Sequence, residues 1–281
     1  MTLLWKGFRI AVLLSLCLAL LLISALFGVL LYGKWTGKEW PLLVGEDASI
    51  AYAEAKHPEA DDTEQTPEAV PVSALPMQAM LSAPAIRQFP ELHSGCEVTS
   101  LAMLLNYYGF SLDKMELVPQ LKLDPTPIRW SDGGSIAYWG NPNTGFVGDI
   151  TGKAKGFGVY HGPLLDLLRQ YIPSGIDLTG EPFDKLERQI SDGFPVIAWT
   201  TINFQVPDRW VVWDSPAGQV RTTFMEHAVL LVGYDKDYVY VNDPYTGKAA
   251  LPVGKEQFIA SWQAMGGQAL SYIQSLKSEE D

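Results

Sequence analysis

The chain runs for 22 residues without a charge over 10–31. A helix rising about 1.5 Å per residue would carry that run across a hydrocarbon core about 30 Å thick. The pattern therefore predicts an N-terminal transmembrane anchor over 1–33. A secretory signal peptide is the rival, but its apolar region usually spans only about 7–15 residues before a small-residue cleavage site. The Ala51-Tyr52-Ala53 stretch that resembles such a site lies too far downstream. Further along, Val98, Leu101, Ala102, Leu104 and Leu105 recur at helical spacing, and Gly109 is placed to end that helix. Leu164, Leu165, Leu167 and Leu168 predict a helix over 163–171; a second is expected over 182–192 before Gly193, and a closing one over 258–265. Strand-length apolar runs occupy 195–201 and 227–234. The second is followed by the polar turn Asp235-Lys236-Asp237 and by Tyr238-Val-Tyr-Val-Asn242-Asp243-Pro244, a hairpin pattern. The Gly-, Pro- and Trp-rich stretch 124–162 reads as loops. Helices first and an antiparallel sheet later is an α+β arrangement.

Composition adds one skew. With 20 Lys and Arg against 32 Asp and Glu the formal charge is −12 and the isoelectric point about 4.7. Nucleic acid is thereby disfavoured as a partner. Eight acids against Lys56 give the stretch 46–71 a local net charge of −7, so 34–73 reads as a solvated, disordered stalk. The folded unit is expected over 74–275, with a charged tail over 276–281. Lys6, Arg9 and the terminal amine face Lys34 and Lys38 across the apolar run, a count that leans toward the N-terminus inside. That orientation puts the folded unit outside the cytoplasm.

Only two cysteines are present, so neither a disulfide framework nor a Cys-rich zinc module is available. Cys17 sits within the apolar run, where it reads as lipid-facing or packing filler. Cys96 stands in Ser94-Gly-Cys-Glu97 at the start of the helical pattern. Ser94 and Glu97 have capping-box spacing, which puts Cys96 at the second helical position. A helix N-terminus lowers a thiol pKa by placing partial positive charge beside the sulfur. The alternative is a small apolar core residue.

Of the four histidines, His57 falls in the stalk and His93 reads as a rim residue. His161 follows a Gly-rich loop and either lines a pocket or lies on the surface. His227 opens the first hairpin strand. With the turn centred on Lys236, residue 229 lies opposite 243, making His227 the diagonal neighbour of Asp243 on one sheet face. A carboxylate there can fix the imidazole tautomer, and Asn242 could do so if the register slips by one. An Asp before Pro can equally be a plain turn residue. Of Trp130, Trp139, Trp199, Trp210 and Trp213, most are expected in the core rather than in a groove. His161 and Asp149 are a scattered pair, so no metal site and no cofactor is expected.

The motifs Gly95-Cys96-Glu-Val-Thr-Ser-Leu-Ala-Met, Gly145-Phe-Val-Gly-Asp149, Gly158-Val-Tyr-His161, Pro195-Val-Ile-Ala-Trp-Thr-Thr201, Glu226-His-Ala-Val-Leu-Leu-Val-Gly-Tyr234 and Tyr240-Val-Asn-Asp-Pro244 occur in this order. Together, over roughly 84–268, they resemble the papain-like cysteine peptidases of the bacteriocin-leader-processing type, cysteine peptidase family 39, and in particular its stand-alone, membrane-tethered bacterial members. The resemblance implies a papain-like fold, with Cys96 as nucleophile, His227 as general base and Asp243 as orienter. It also implies Gln88 as side-chain donor to the oxyanion, although Gln88 precedes the cysteine by eight residues where transporter-borne relatives have a shorter gap. His161 is carried as a substrate-binding residue. The expected partner is a peptide or protein substrate, with the N-terminal helix in the cell membrane. A cell-wall peptide amidase or transpeptidase using the same triad, or a silent tethered binding module, remains open at this level.

Overall fold

The computed structural model describes residues 75–274 together with Leu20. Apart from Leu20, the expected anchor, stalk and charged tail lie outside the described residues. Among the described residues no helix is long and apolar enough to cross a membrane.

In chain order the first half runs β1 (Ala79–Met80), α1 (Cys96–Tyr108), α2 (Lys114–Leu117), β2 (Leu123–Asp124), β3 (Arg129–Trp130), β4 (Ile136–Tyr138), β5 (Phe146–Val147), α3 (His161–Tyr171), β6 (Gly175–Asp177) and α4 (Phe183–Ser191). The second half runs β7 (Val196–Thr201), β8 (Val211–Ser215), β9 (Gly218–Thr222), β10 (Glu226–Tyr234), β11 (Tyr238–Asp243), β12 (Lys248–Gly254), α5 (Lys255–Ala264) and β13 (Ala269–Tyr272). The main sheet has the order β12-β11-β10-β7-β13-β6, with β1 added to β10, and every pairing in it is antiparallel.

β7 and β10 read as continuous apolar runs because both their faces are covered. Leu230 and Val232 face a core with Leu101, Leu105 and Leu164 from α1 and α3. Val229 and Leu231 face the opposite core, with Leu186 of α4 and Phe258 and Trp262 of α5. The sheet is thus sandwiched between helix layers. Trp199 is fully buried and donates its indole N–H to Val159 O at 3.0 Å, so its polar end is satisfied as burial requires.

The stretch expected to be loops contributes β3 and β4 to a second sheet of order β3-β4-β8-β9. The β8–β9 hairpin was not anticipated in sequence. Trp139, Trp213, Phe157 and Val220 form a small core of their own beneath it. Trp130, by contrast, is 52% exposed, so the expectation of core placement holds for Trp139, Trp199 and Trp213 but not for it.

Candidate active site

Five stretches of chain meet at one cavity of about 210 Å³: the turn into α1, the loop at Gly156 and Phe157, Ile202 after β7, the start of β10 and the loop after β11. Gly95 allows the first of these, because a Cβ there would stand 2.5 Å from Leu92 Cβ. Ser100, one turn along α1, donates to Ala228 O at 3.1 Å and pins the helix to β10 next to His227. Cys96 and His227 consequently both line the cavity, as do Gln88 and His93. His93 takes the rim position expected of it, packed edge-on against Phe89.

β10 and β11 pair Leu230 with Asn242 and Leu231 with Val241, the register inferred from the turn, while a bulge lies between Leu231 and Gly233. His227 Nε2 and Asp243 Oδ1 are 2.8 Å apart, and both residues are buried. Burial works against the Asp243 carboxylate. Hydrogen bonds from His227, from the Thr246 hydroxyl at 2.7 Å and from the Tyr245 amide at 3.0 Å outweigh that cost and hold its pKa below the usual value. An ionised Asp243 accepts a hydrogen bond from the Nε2–H, leaving Nδ1 as the basic nitrogen. Asn242 turns the other way, donating to Ala83 O and Pro84 O and accepting from Ala250 N.

The surroundings of the thiol correct the sequence reading. Gly95 is the N-cap of α1 with no side-chain cap, so Cys96 is the first helical residue and Ser94 and Glu97 form no capping box. Glu97 is fully buried instead, recruited by the Val159 amide at 2.7 Å and by the Cys96 thiol, whose sulfur lies 3.4 Å from Oε2. Among the described residues no hydrogen bond joins Cys96 to His227. Nor is the thiol pKa lowered. Burial first, then the charges of Glu97 and Glu226, push it well above its ordinary value. Half an elementary charge at a helix end does not compensate for a desolvated thiolate beside two acids.

Gln88 is 3% exposed, and its backbone amide donates to Pro244 O, beside Asp243. Its side-chain nitrogen donates to Leu92 O at 3.2 Å and His93 O at 3.1 Å, so serving an oxyanion requires releasing one of these. His161 is not at this cavity. It begins α3, pairs through Nδ1 with Asp177 at 2.8 Å, and lines a separate cavity of about 310 Å³ with Trp210 and Arg221. Asp149 is equally apart from it, its carboxylate taken up by Thr151 and Gly152.

Sequence reasoning missed Glu226 and misassigned Glu97. The available signal was a charged residue opening the otherwise apolar strand β10 and another directly after the cysteine. A Glu97 oxygen, a Glu226 oxygen and the Cys96 sulfur all lie within 4.8 Å of one another, a donor set able to hold a metal ion.

Comparison with known proteins matches residues 80–270 to the Peptidase_C39 like family. An uncharacterized protein of Bacillus subtilis (strain 168), YvpB, is 41% identical over 182 residues, covering 64% of this chain and 70% of the relative. A solved structure described as a C39-like peptidase from Bacillus anthracis is 41% identical with a TM-score of 0.65, covering 71% of this chain and 99% of that one.

Proposed function

Because this chain belongs to the Peptidase_C39 like family, we propose that it is a cysteine peptidase in which Cys96 attacks the scissile carbonyl, His227 is the general base and Asp243 orients it. The observation carrying this reading is the buried His227–Asp243 pair at 2.8 Å opening on the cavity that Cys96 also lines. His227 Nδ1 takes the thiol proton as the sulfur–carbon bond forms. It returns that proton to the leaving amine as the carbon–nitrogen bond breaks, and water then hydrolyses the thioester with His227 as base. The Gln88 side chain and the Cys96 amide are the donors suited to the developing oxyanion.

The test is peptide cleavage by the full-length protein followed by mass spectrometry. Cys96→Ala and His227→Ala are expected to abolish turnover, and a thioester adduct on Cys96 should be trapped on rapid acid quenching. Cleavage that survives Cys96→Ala would sink the assignment. We further propose that the apolar run over 10–31 anchors the protein in the cell membrane with the peptidase unit outside the cytoplasm. Retention of the full chain in membranes through an alkaline carbonate wash, with the peptidase unit digestible from the outer face of intact cells, is the expected result.

A further inference from the structure

Two carboxyl groups beside the nucleophile are left over once thiol, imidazole and Asp243 have their tasks. Glu97 Oε1 accepts from Val159, and its Oε2 faces the thiol. Glu226 makes no side-chain hydrogen bond among the described residues, and its Oε1 is shut off from solvent without a donor. The Lys–Glu ion pairs among those residues join Lys114 to Glu91 and Lys255 to Glu187, leaving both acids without a cation. Gln88, which is almost fully buried and lines the same cavity, likewise has an unpartnered Oε1. Buried acceptors beside the cavity therefore lack a donor, a cost that a proton retained by the acids relieves in the resting protein and that a cationic ligand can relieve instead. Gly158 makes room for the two carboxyl groups, since a Cβ there would stand 2.2 Å from Glu97 Oε1 and 3.2 Å from Glu226 Oε2.

Distance selects the ligand. Both carboxyl groups reach within 4.8 Å of the Cys96 sulfur. A thiolate attacks a carbonyl carbon from about 3–3.5 Å. The α-nitrogen of the attacked residue lies about 2.5 Å from that carbon, from bonds of about 1.46 and 1.52 Å at an angle near 111°. An α-ammonium is thus carried to the carboxyl groups by the same pose that brings the carbonyl to the sulfur. A lysine or arginine side chain holds its charge several bonds beyond Cα and would have to fold back on itself. A peptide nitrogen in mid-chain offers one hydrogen and no charge, whereas an ammonium offers three hydrogens and the charge the acids lack.

We propose that Glu97 and Glu226 receive the protonated α-amino group of the residue whose carbonyl Cys96 attacks, so that the substrates are peptides with a free amino terminus and the first residue is released. This rests on the thiol-peptidase reading above and deepens it. The first peptide bond breaks, the rest of the peptide leaves as an amine carrying the proton from His227, and water frees the amino acid from the thioester. The bound ammonium also offsets the negative charge at the sulfur, so the thiolate forms when the correct substrate is in place.

The experiment gives the full-length protein pairs of peptides identical except for N-acetylation, with every residue type represented at the first position, while iodoacetamide labelling of Cys96 is followed in parallel. The expected result is release of the first residue from free peptides, with kcat/KM at least about 100-fold lower for acetylated ones. Glu226→Gln, which keeps the shape and removes the charge, should collapse that ratio to within about tenfold, a change that mere packing at this position would not produce. Equal handling of both peptides, cuts at internal bonds alone, or no cleavage with labelling that His227→Ala slows overturns the inference and leaves the role of Cys96 as nucleophile standing. No cleavage with labelling indifferent to His227→Ala overturns both.

Discussion

Cys96 sits between a helix end that favours its thiolate and a burial, shared with two acids, that opposes it. The second influence prevails, so the thiol of the resting protein is expected to titrate above the free value of about 8.5. Glu226→Gln removes one of the two charges responsible, and iodoacetamide labelling at alkaline pH, where the native Glu226 is ionised, should then accelerate by about tenfold for each unit of downward shift. An unchanged profile in that variant would show that the acids do not govern the sulfur. Asp243 acts on the imidazole rather than on the thiol. Asp243→Ala should lower kcat on a cleavable peptide by about two to four powers of ten, because the imidazolium loses its buried partner and its orientation, with KM little altered.

The hairpin that carries the base was legible because both faces of β10 are buried, which leaves an unbroken apolar run ended by Asp235-Lys236-Asp237. Its register at the site end was legible from the turn centred on Lys236, which pairs Leu230 with Asn242. The bulge at Gly233 was not, since it answers to β1, a two-residue strand without a pattern, whose Ala79 O would lie 2.8 Å from a Cβ at that glycine. The start of α1 shows a local rule losing to a tertiary partner. Ser94 and Glu97 have the spacing of a capping box, yet the Val159 amide, 62 residues away, takes the carboxylate. Asn242 was left open as a second orienter, and its place is structural: it ties the entry segment at Ala83 and Pro84 to β12 through Ala250. Asn242→Ala should therefore destabilise by about 1–2 kcal/mol, lowering Tm by roughly 2–8 °C, through part-buried backbone groups that lose their partner. The fraction still folded should keep its kcat, and a variant that melts normally but is inactive would restore Asn242 to the catalytic group.

Across the whole molecule the charge is unevenly spent, with −7 of the net −12 in the stretch before the folded unit, while the acids that matter chemically are few and gathered at one site. Their effects on stability run in opposite directions with pH. Asp243 has a depressed pKa, so its contribution is complete above the unfolded carboxylate value near 3.9 and is lost as pH falls through the folded value. Glu97 is pushed up to about 7 by burial, and Glu226 is raised well above the carboxylate range by burial and by Glu97. An acid whose folded pKa is raised stabilises only while protonated, so the Glu97 contribution is complete below about 4.5 and lost as pH rises toward and beyond 7. The folded unit is therefore expected to be most stable at mildly acidic pH, losing on the order of 3 kcal/mol between pH 5 and pH 8 from this site. Thermal melts over that range should show Tm falling by several degrees in the native protein and nearly flat in the Glu97→Gln, Glu226→Gln double variant. A fall of the same size in the double variant would place the pH sensitivity elsewhere. A bound α-ammonium should have the same flattening effect as the double substitution, because it gives the pair a positive partner in place of a proton. Melts at pH 8 with a free-amine peptide and the Cys96→Ala variant should thus recover the stability seen at pH 5, and the acetylated peptide should not.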